Sequence, residues 1–396
     1  MNYNEKSYAL GSKRSIIREI FEYSKVRASE IGADKVYDFS LGNPSVEPPQ
    51  MVTDCIKELL DNNNPTVLHG YTSAQGDAGV RSAIAENINQ RFGVKISPND
   101  IYMTCGAAAS LSICLKAVVN DGDECIVFAP FFTEYRVFVE NAGGKLVIST
   151  PEENTFQVDI KDLESKITAN TKALIMNSPN NPSGVVYNEK TIKGVCELLQ
   201  KKEIEYGNPI YLIADEPYRE LVYGNVEVPY LMNYYKNTLV CYSFSKSLSL
   251  PGERIGYIAV NSEMQDSKTI YLAVCGAGRS LGYVCAPSLF QRVAGKCLNA
   301  KVNIEAYEKN RNLLYNSLCE YGFTCVKPDG AFYLFVKSPS GDATSFYEKA
   351  KEHEILIVPC DDFGVQGYVR IAYCVDYDRI KNSLPGFKKL AEEYGL

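Results

Sequence analysis

Four runs of this chain are almost continuously apolar and stop abruptly at a polar turn. They are Glu124-Cys125-Ile126-Val127-Phe128, Lys172-Ala173-Leu174-Ile175-Met176, Pro209-Ile210-Tyr211-Leu212-Ile213-Ala214 and Leu239-Val240-Cys241-Tyr242. A strand with one wet face alternates apolar and polar residues, whereas a strand covered on both faces does not. These runs predict central strands of a mostly parallel sheet with helices on both sides. A fifth run, Ile101-Tyr102-Met103-Thr104, leads through Cys105-Gly106 into Ala107-Ala108-Ala109-Ser110 and reads as strand, glycine turn, then helix. The fold class expected is α/β: a large domain over residues 49–285, followed by a smaller α+β domain. The later segment reads as a long helical stretch, Pro287 to Tyr321, with strands at Ala331–Val336 and Gly367–Tyr373.

In open α/β sheets ligands collect beyond the carboxyl ends of strands, so the residues just after each run carry the functional information. After Leu239–Tyr242 come Ser243-Phe244-Ser245-Lys246 and then Pro251-Gly252-Glu253-Arg254-Ile255-Gly256. Lysine is the side chain that forms an imine with a carbonyl cofactor. Serine hydroxyls and the forked guanidinium of arginine suit a phosphate. Pyridoxal phosphate carries both an aldehyde and a phosphate, although a lone Ser-x-Ser-Lys is more often an ordinary surface turn.

The cofactor's other requirements can be sought at the remaining strand ends. A protonated ring nitrogen calls for a carboxylate, and Asp215 of Asp215-Glu216-Pro217-Tyr218 follows a buried run directly; a helix N-cap is the competing role. The phenolic oxygen needs donors, and Tyr218 and Asn181 are candidates. Asn181 lies in Asn177-Ser178-Pro179-Asn180-Asn181-Pro182-Ser183-Gly184, a composition that also makes ordinary turns. Small residues at Gly106, Ala107 and Ala108 would let a phosphate reach the unpaired amides of a helix N-terminus. A flat ring is offered by Pro130-Phe131-Phe132-Thr133-Glu134-Tyr135.

The order and spacing of these motifs resemble the fold-type-I pyridoxal-phosphate enzymes, specifically the class I/II aminotransferases, from about Asp38 to the last helix. The resemblance implies that Lys246 is the Schiff-base lysine and that Arg254, Ser243, Ser245, Gly106, Ala107 and Ala108 hold the phosphate. It gives Asp215 to the pyridinium, Asn181 and Tyr218 to the phenolic oxygen, and Phe132 to the ring face, where many relatives carry Tyr or Trp. It implies that Tyr71, in His69-Gly70-Tyr71-Thr72, reaches the phosphate from the second subunit of a homodimer. Arg370, in Tyr368-Val369-Arg370-Ile371-Ala372, matches the arginine that grips the substrate α-carboxylate. Gly42 matches the N-terminal glycine loop beside it, though relatives often carry Glu or Gln where this chain has Asn43. Residues 1–48 are implied to join 286–396 in the small domain.

The activity implied is transfer of an amino group from an amino acid to a 2-oxo acid in two half-reactions, with ping-pong kinetics. A β-lyase or a decarboxylating acyl transferase would use much the same residues. A non-enzymatic sensor would need a DNA-binding module ahead of the fold, and only some 40 residues precede Gly42. Arg279 lies near where dicarboxylate-specific relatives place a second cation; a surface or dimer-contact arginine is the other reading.

Composition narrows the field further. A net charge of −7 without a Lys/Arg-rich block argues against a nucleic-acid surface. No apolar stretch approaches ~18 residues, and Met1–Leu10 has no signal-peptide core. The thirteen cysteines lack C-x-x-C spacing and read as buried thiols of a reducing cytoplasm, with no metal site. Only His69 and His353 are available for histidine chemistry, and His353 reads as a helix-end residue. Gly276-Ala277-Gly278-Arg279-Ser280-Leu281-Gly282 superficially suggests a dinucleotide loop, but the segment before it reads as helix, not strand.

Overall fold

The computed structural model describes residues 2–12 and 15–396. Its strands are β1 Tyr37–Asp38, β2 Ile101–Thr104, β3 Glu124–Phe128, β4 Lys145–Ser149, β5 Thr171–Asn177, β6 Tyr211–Asp215 and β7 Thr238–Ser243. They continue with β8 Gly256–Val260, β9 Cys325–Val326, β10 Tyr333–Lys337, β11 Ile355–Leu356, β12 Val358–Pro359 and β13 Tyr368–Ala372. Seven form one sheet in the order β2-β8-β7-β6-β5-β3-β4. β4, β3, β5, β6 and β7 run parallel, and β8 is antiparallel to both its neighbours. The sheet is therefore mixed but mostly parallel, as the uninterrupted apolar runs require.

Both faces are covered because alternate residues of a strand point opposite ways. Leu174 and Met176 of β5, Leu212 and Ala214 of β6 and Val240 of β7 pack into one core with the helices Gln50–Asn62, Ala78–Phe92 and Glu189–Tyr206. Ala173 and Ile175, Tyr211 and Ile213, and Leu239 and Cys241 enter the opposite core, with the helices Ala107–Val118, Glu134–Ala142 and Ser267–Ser280.

A third core lies around an antiparallel sheet, β12-β13-β10-β9, and the parallel pair β1-β11. The helices Ile16–Ile31, Ile304–Glu320, Ala343–Glu352 and Tyr377–Tyr394 pack here. Tyr37 pairs with Ile355, so the N-terminal segment is stitched to the C-terminal one.

The stretch read as one long helix is two, Ser288–Lys296 and Ile304–Glu320. Polar side chains explain the break: Asn303 caps the second helix by accepting from the Ala306 amide, and Asn299 is engaged by Asn87. His353 caps the helix Ala343–Glu352 and bonds Glu393 at 2.8 Å.

Register brings distant motifs together. Asn177 pairs with Asp215, and Asp215 with Cys241, two residues before Ser243. Because β8 returns antiparallel, Gly256 pairs with Ser243 on one side and Thr104 on the other. The strand-end residues of β2, β8, β7, β6 and β5 thus reach one edge. Leu212, with no exposed surface in mid-β6, anchors the strand that carries Asp215. Leu212→Ala should destabilise the protein by about 2–5 kcal/mol, read from denaturant unfolding; a loss below ~1 kcal/mol would show that the site collapses around the gap.

Candidate active site

A cavity of about 330 Å³ opens at that edge, and residues from β5, β6 and β7 line it together with Arg254, Tyr333 and Arg370. Lys246 follows β7 in the short helix Phe244–Ser247, whose cap Ser243 accepts from the Ser245 amide. Its Nζ donates to the Gly42 carbonyl at 2.6 Å and stands 5.4 Å from the Phe332 ring centre. Burial brings the amine down to about 8, opposed by Cys374 and assisted by Arg254 and Arg370. A lysine in that range is partly unprotonated near neutral pH and so nucleophilic.

Asp215 ends β6, and no helix follows it, which removes the N-cap role. Its Oδ2 accepts a 2.5 Å hydrogen bond from Tyr135, while Oδ1 is buried without any partner. Burial pushes the carboxyl up to about 7; the Tyr135 bond pulls the other way and Glu216 adds to the rise. Glu216 itself is neutralised by a buried ion pair with Arg219. The unpaired oxygen is the property expected of a carboxylate that awaits a cationic partner.

Arg370, on β13, is the complementary case. It is 2% exposed, donates to Asn181 Oδ1 at 3.0 Å and to the Ser40 carbonyl at 2.6 Å, and leaves Nε unbonded. No carboxylate pairs with it among the described residues. Since Asn181 Oδ1 is taken by Arg370, the Asn181 amide NH2 is left for the cavity. Asn177 fixes this turn, with its Nδ2 on the Asp215 carbonyl at 2.9 Å and its Oδ1 accepting from the Asn181 backbone N–H at 2.7 Å.

At the other end, Arg254 has φ +50° and donates to Ser245 Oγ at 3.3 Å and to the Pro251 carbonyl at 2.8 Å. Ser243 Oγ lies 2.9 Å from Ser245 Oγ. A Cβ on Gly106, at φ +86°, would stand 2.7 Å from Arg254 Nη2, so only glycine lets the guanidinium approach the start of the helix Ala107–Val118. Ala107, Ala108 and Phe132 complete the wall. Arg254, two serines and a helix N-terminus make a dianion cradle.

Of the residues expected from the sequence, Tyr71, Arg279 and Gly106 do not line this cavity, and Gly106 lies instead against the Arg254 guanidinium. Tyr71 is 96% exposed, and Arg279 lies exposed in the last turn of the helix Ser267–Ser280. The structure adds Tyr135, Asn177, Phe332, Tyr333 and Ile17. Tyr135 has a local signal, lying in the same aromatic turn three residues after Phe132. Phe332, Tyr333 and Ile17 arrive from other parts of the chain and had none. A second cavity of about 360 Å³, between Arg91, Tyr242 and Ile304, brings together no such unpaired charges.

Pyridoxal phosphate fits these residues: an amine brought down to about 8, a buried carboxylate with one free oxygen, and a cradle that a Gly106 Cβ would fill. This combination of sheet and site is that of a fold-type-I pyridoxal-phosphate enzyme. The profile of the family described as aminotransferase class I and II matches residues 34–384, and the chain belongs to that family. It is 29% identical to aromatic-amino-acid aminotransferase 2 of Thermococcus litoralis, over 96% of this chain and 97% of the relative. It is 30% identical to the aspartate aminotransferase of Pyrococcus abyssi, over 96% and 97%. A crystal structure of an amino transferase from Eubacterium rectale superposes with a TM-score of 0.98 at 56% identity, covering 100% of both chains. The protein is a pyridoxal-phosphate-dependent aminotransferase acting on amino acids and 2-oxo acids.

Asp215 gives a stability prediction. In the unfolded chain it ionises near the ordinary 3.8, but in the folded apoprotein it keeps its proton up to about 7. The folded state therefore binds the extra proton between those values, so stability falls as pH rises through that window and the penalty is complete above it. Asp215→Asn should stabilise the apoprotein at pH 8 by ~2–4 kcal/mol, with the gain gone below pH 4. Coincident melting curves at pH 8 would show that burial does not strain the carboxylate.

Proposed function

We propose that the transfer is carried out by Lys246, Asp215 and Tyr218, with substrate held by Arg370, Asn181 and Gly42. The observation that carries this reading is the pair of uncompensated buried charges, Asp215 and Arg370, on the wall that holds a lysine brought down to about 8. When bound, pyridoxal phosphate supplies an aldehyde for the amine and a protonated ring that draws electrons from the substrate α-carbon. Lys246 would then serve as the base that takes the substrate α-proton and delivers it to the former aldehyde carbon. Asp215, given a cationic nitrogen as partner, returns to the ionised state that burial alone resists.

Arg370 gives the substrate α-carboxylate a charge-assisted contact at a site that already lacks an anion. Arg254, Ser243, Ser245 and the amides from Gly106 to Ala108 take the phosphate, Asn181 and Tyr218 donate to the phenolic oxygen, and Phe132 covers the ring. The cofactor-bearing domain is assigned to 49–285 and the smaller one to 1–48 with 286–396; the helix Ser288–Lys296, just past that boundary, packs toward the helices Ala78–Phe92 and Gln50–Asn62.

The purified protein should be yellow, and borohydride should fix the cofactor to Lys246; fixation to another lysine would refute the assignment. Asp215→Asn should lower kcat by at least about a hundredfold, since the charge that stabilises the reacting centre is lost. Retention of most of the turnover would reduce Asp215 to a structural residue.

A homodimer is part of the proposal. Val67, Tyr71, Tyr283 and Val284 are exposed. Their two segments are tied together by Ser288 Oγ on the Leu68 carbonyl at 2.8 Å and Gln291 on Thr72 Oγ1 at 3.1 Å. An apolar patch with a fully projecting tyrosine suits a second copy that receives Tyr71 at its phosphate, and Arg279, four residues before Tyr283, is exposed too. The thirteen cysteines, mostly buried and without C-x-x-C spacing, suit a reducing cytoplasm. Among the described residues no helix is long and apolar enough to cross a membrane. Sedimentation should give a dimer, and Tyr71→Ala should weaken cofactor retention without dissociating it; an active monomer at assay concentration would overturn the shared site.

A further inference from the structure

Tyr333 comes from β10 of the smaller sheet and is 3% exposed. Its hydroxyl lies 2.9 Å from that of Tyr218, with the rings edge to face at 5.7 Å. Neither hydroxyl has another hydrogen-bond partner among the described residues. Two O–H groups that share one bond leave one proton over, and that proton must be directed elsewhere.

Two features decide which tyrosine keeps it. A Cβ on Gly42 would stand 1.9 Å from the Tyr333 oxygen and 2.8 Å from its ring carbon Cζ. The Gly42 backbone thus covers one side of the Tyr333 hydroxyl, while the residue still borders the cavity. The Arg370 guanidinium sits 4.7 Å over the Tyr333 ring and draws electron density from it, which makes its hydroxyl the stronger donor. Tyr333 therefore donates to Tyr218, and the Tyr218 proton is the one left for the cavity.

We infer that Tyr333 is a positioning residue for the amino-group transfer: its hydrogen bond to Tyr218 aims and strengthens the donor that Tyr218 offers the cofactor's phenolic oxygen, a role that rests on the assignment of Tyr218 made above. Hydrogen bonds in series polarise one another, so the outer tyrosine acts on the inner one without touching the cofactor. The same side chain explains why position 42 is glycine. Gly42 in turn supplies the carbonyl that receives Lys246.

The test compares holoenzymes of wild type, Tyr333→Phe, Tyr218→Phe and the double variant by titrating visible absorbance against pH. A donor to the phenolic oxygen makes the lysine-bound chromophore lose its proton more easily, so weakening that donor raises the apparent pKa. Tyr333→Phe should raise it by about half to one pH unit, the size of one hydrogen bond's net effect. Tyr218→Phe should raise it further, and the double variant should equal Tyr218→Phe alone. Because phenylalanine keeps the ring under Arg370, kcat should fall ~3–10-fold while KM stays within about twofold. If Tyr218→Phe shifts the titration and Tyr333→Phe does not, the proposal fails and the role of Tyr218 stands. If Tyr333→Phe shifts it equally in the Tyr218→Phe background, Tyr333 acts by another route and the proposal is again overturned. If Tyr218→Phe shifts nothing, the donor role of Tyr218 fails and the proposal fails with it.

Discussion

At the end of β6 the chain holds a carboxylate away from water and leaves one of its oxygens without a hydrogen-bond partner. Tyr135 satisfies the other oxygen but does not cancel the burial. Arg370 repeats the pattern with opposite sign, and no Asp or Glu pairs with it among the described residues. The two groups are not paired with each other. Asn181 receives Arg370 on its side-chain oxygen, while Asp215 is held through Asn177 and Tyr135. A fold that keeps two opposite charges buried and apart is organised for a guest that carries both a cation and an anion. An amino acid joined to a pyridinium cofactor meets that description.

Sheet register is what makes the arrangement possible. The pairings Asn177–Asp215 and Asp215–Cys241 bring the ends of three parallel strands level, and the return of β8 sets Gly256 between Ser243 and Thr104. Arg254 and Gly106 then meet at the sheet edge, so closely that a methyl group on Gly106 would collide with the guanidinium. A slip of one residue in any of these strands would turn its core side chains to the opposite face and carry its site residue out of line. Precision at the site is therefore inherited from hydrophobic packing on both faces.

The large sheet was readable because a parallel strand buried on both sides leaves an uninterrupted apolar signature, and β3, β5, β6 and β7 each have one. The residues that end those strands stand directly after each signature. What stayed hidden depends on contacts between distant segments. Tyr333 matters because β10 brings it to Tyr218, and Ile17 because the first turn of an N-terminal helix borders the cavity; neither has a local pattern that sets it apart. Tyr135 was in plain view within an aromatic turn, yet nothing in the sequence says which ring of Phe131, Phe132 and Tyr135 faces a carboxylate. The break between Lys296 and Ile304 was missed because it contains no Gly or Pro and is made by asparagine side chains.

The pairing of Tyr37 with Ile355, with Arg370 donating to the Ser40 carbonyl, has a consequence for how the molecule is made. During synthesis from the N-terminus, residues 37–42 emerge long before the strands that receive them. The seven-stranded sheet has its last strand in hand once Val260 has appeared, and it can assemble while the early segment is still without a mate. The Gly42 loop and its hold on Lys246 can be completed only after β11 and β13 arrive. A ribosome-bound chain stopped before residue 355 would therefore present the lysine at the edge of a formed sheet, without the loop that covers it and without Arg370 on the facing wall. In such a chain the amine would face water, and its cover would come only with the last few dozen residues.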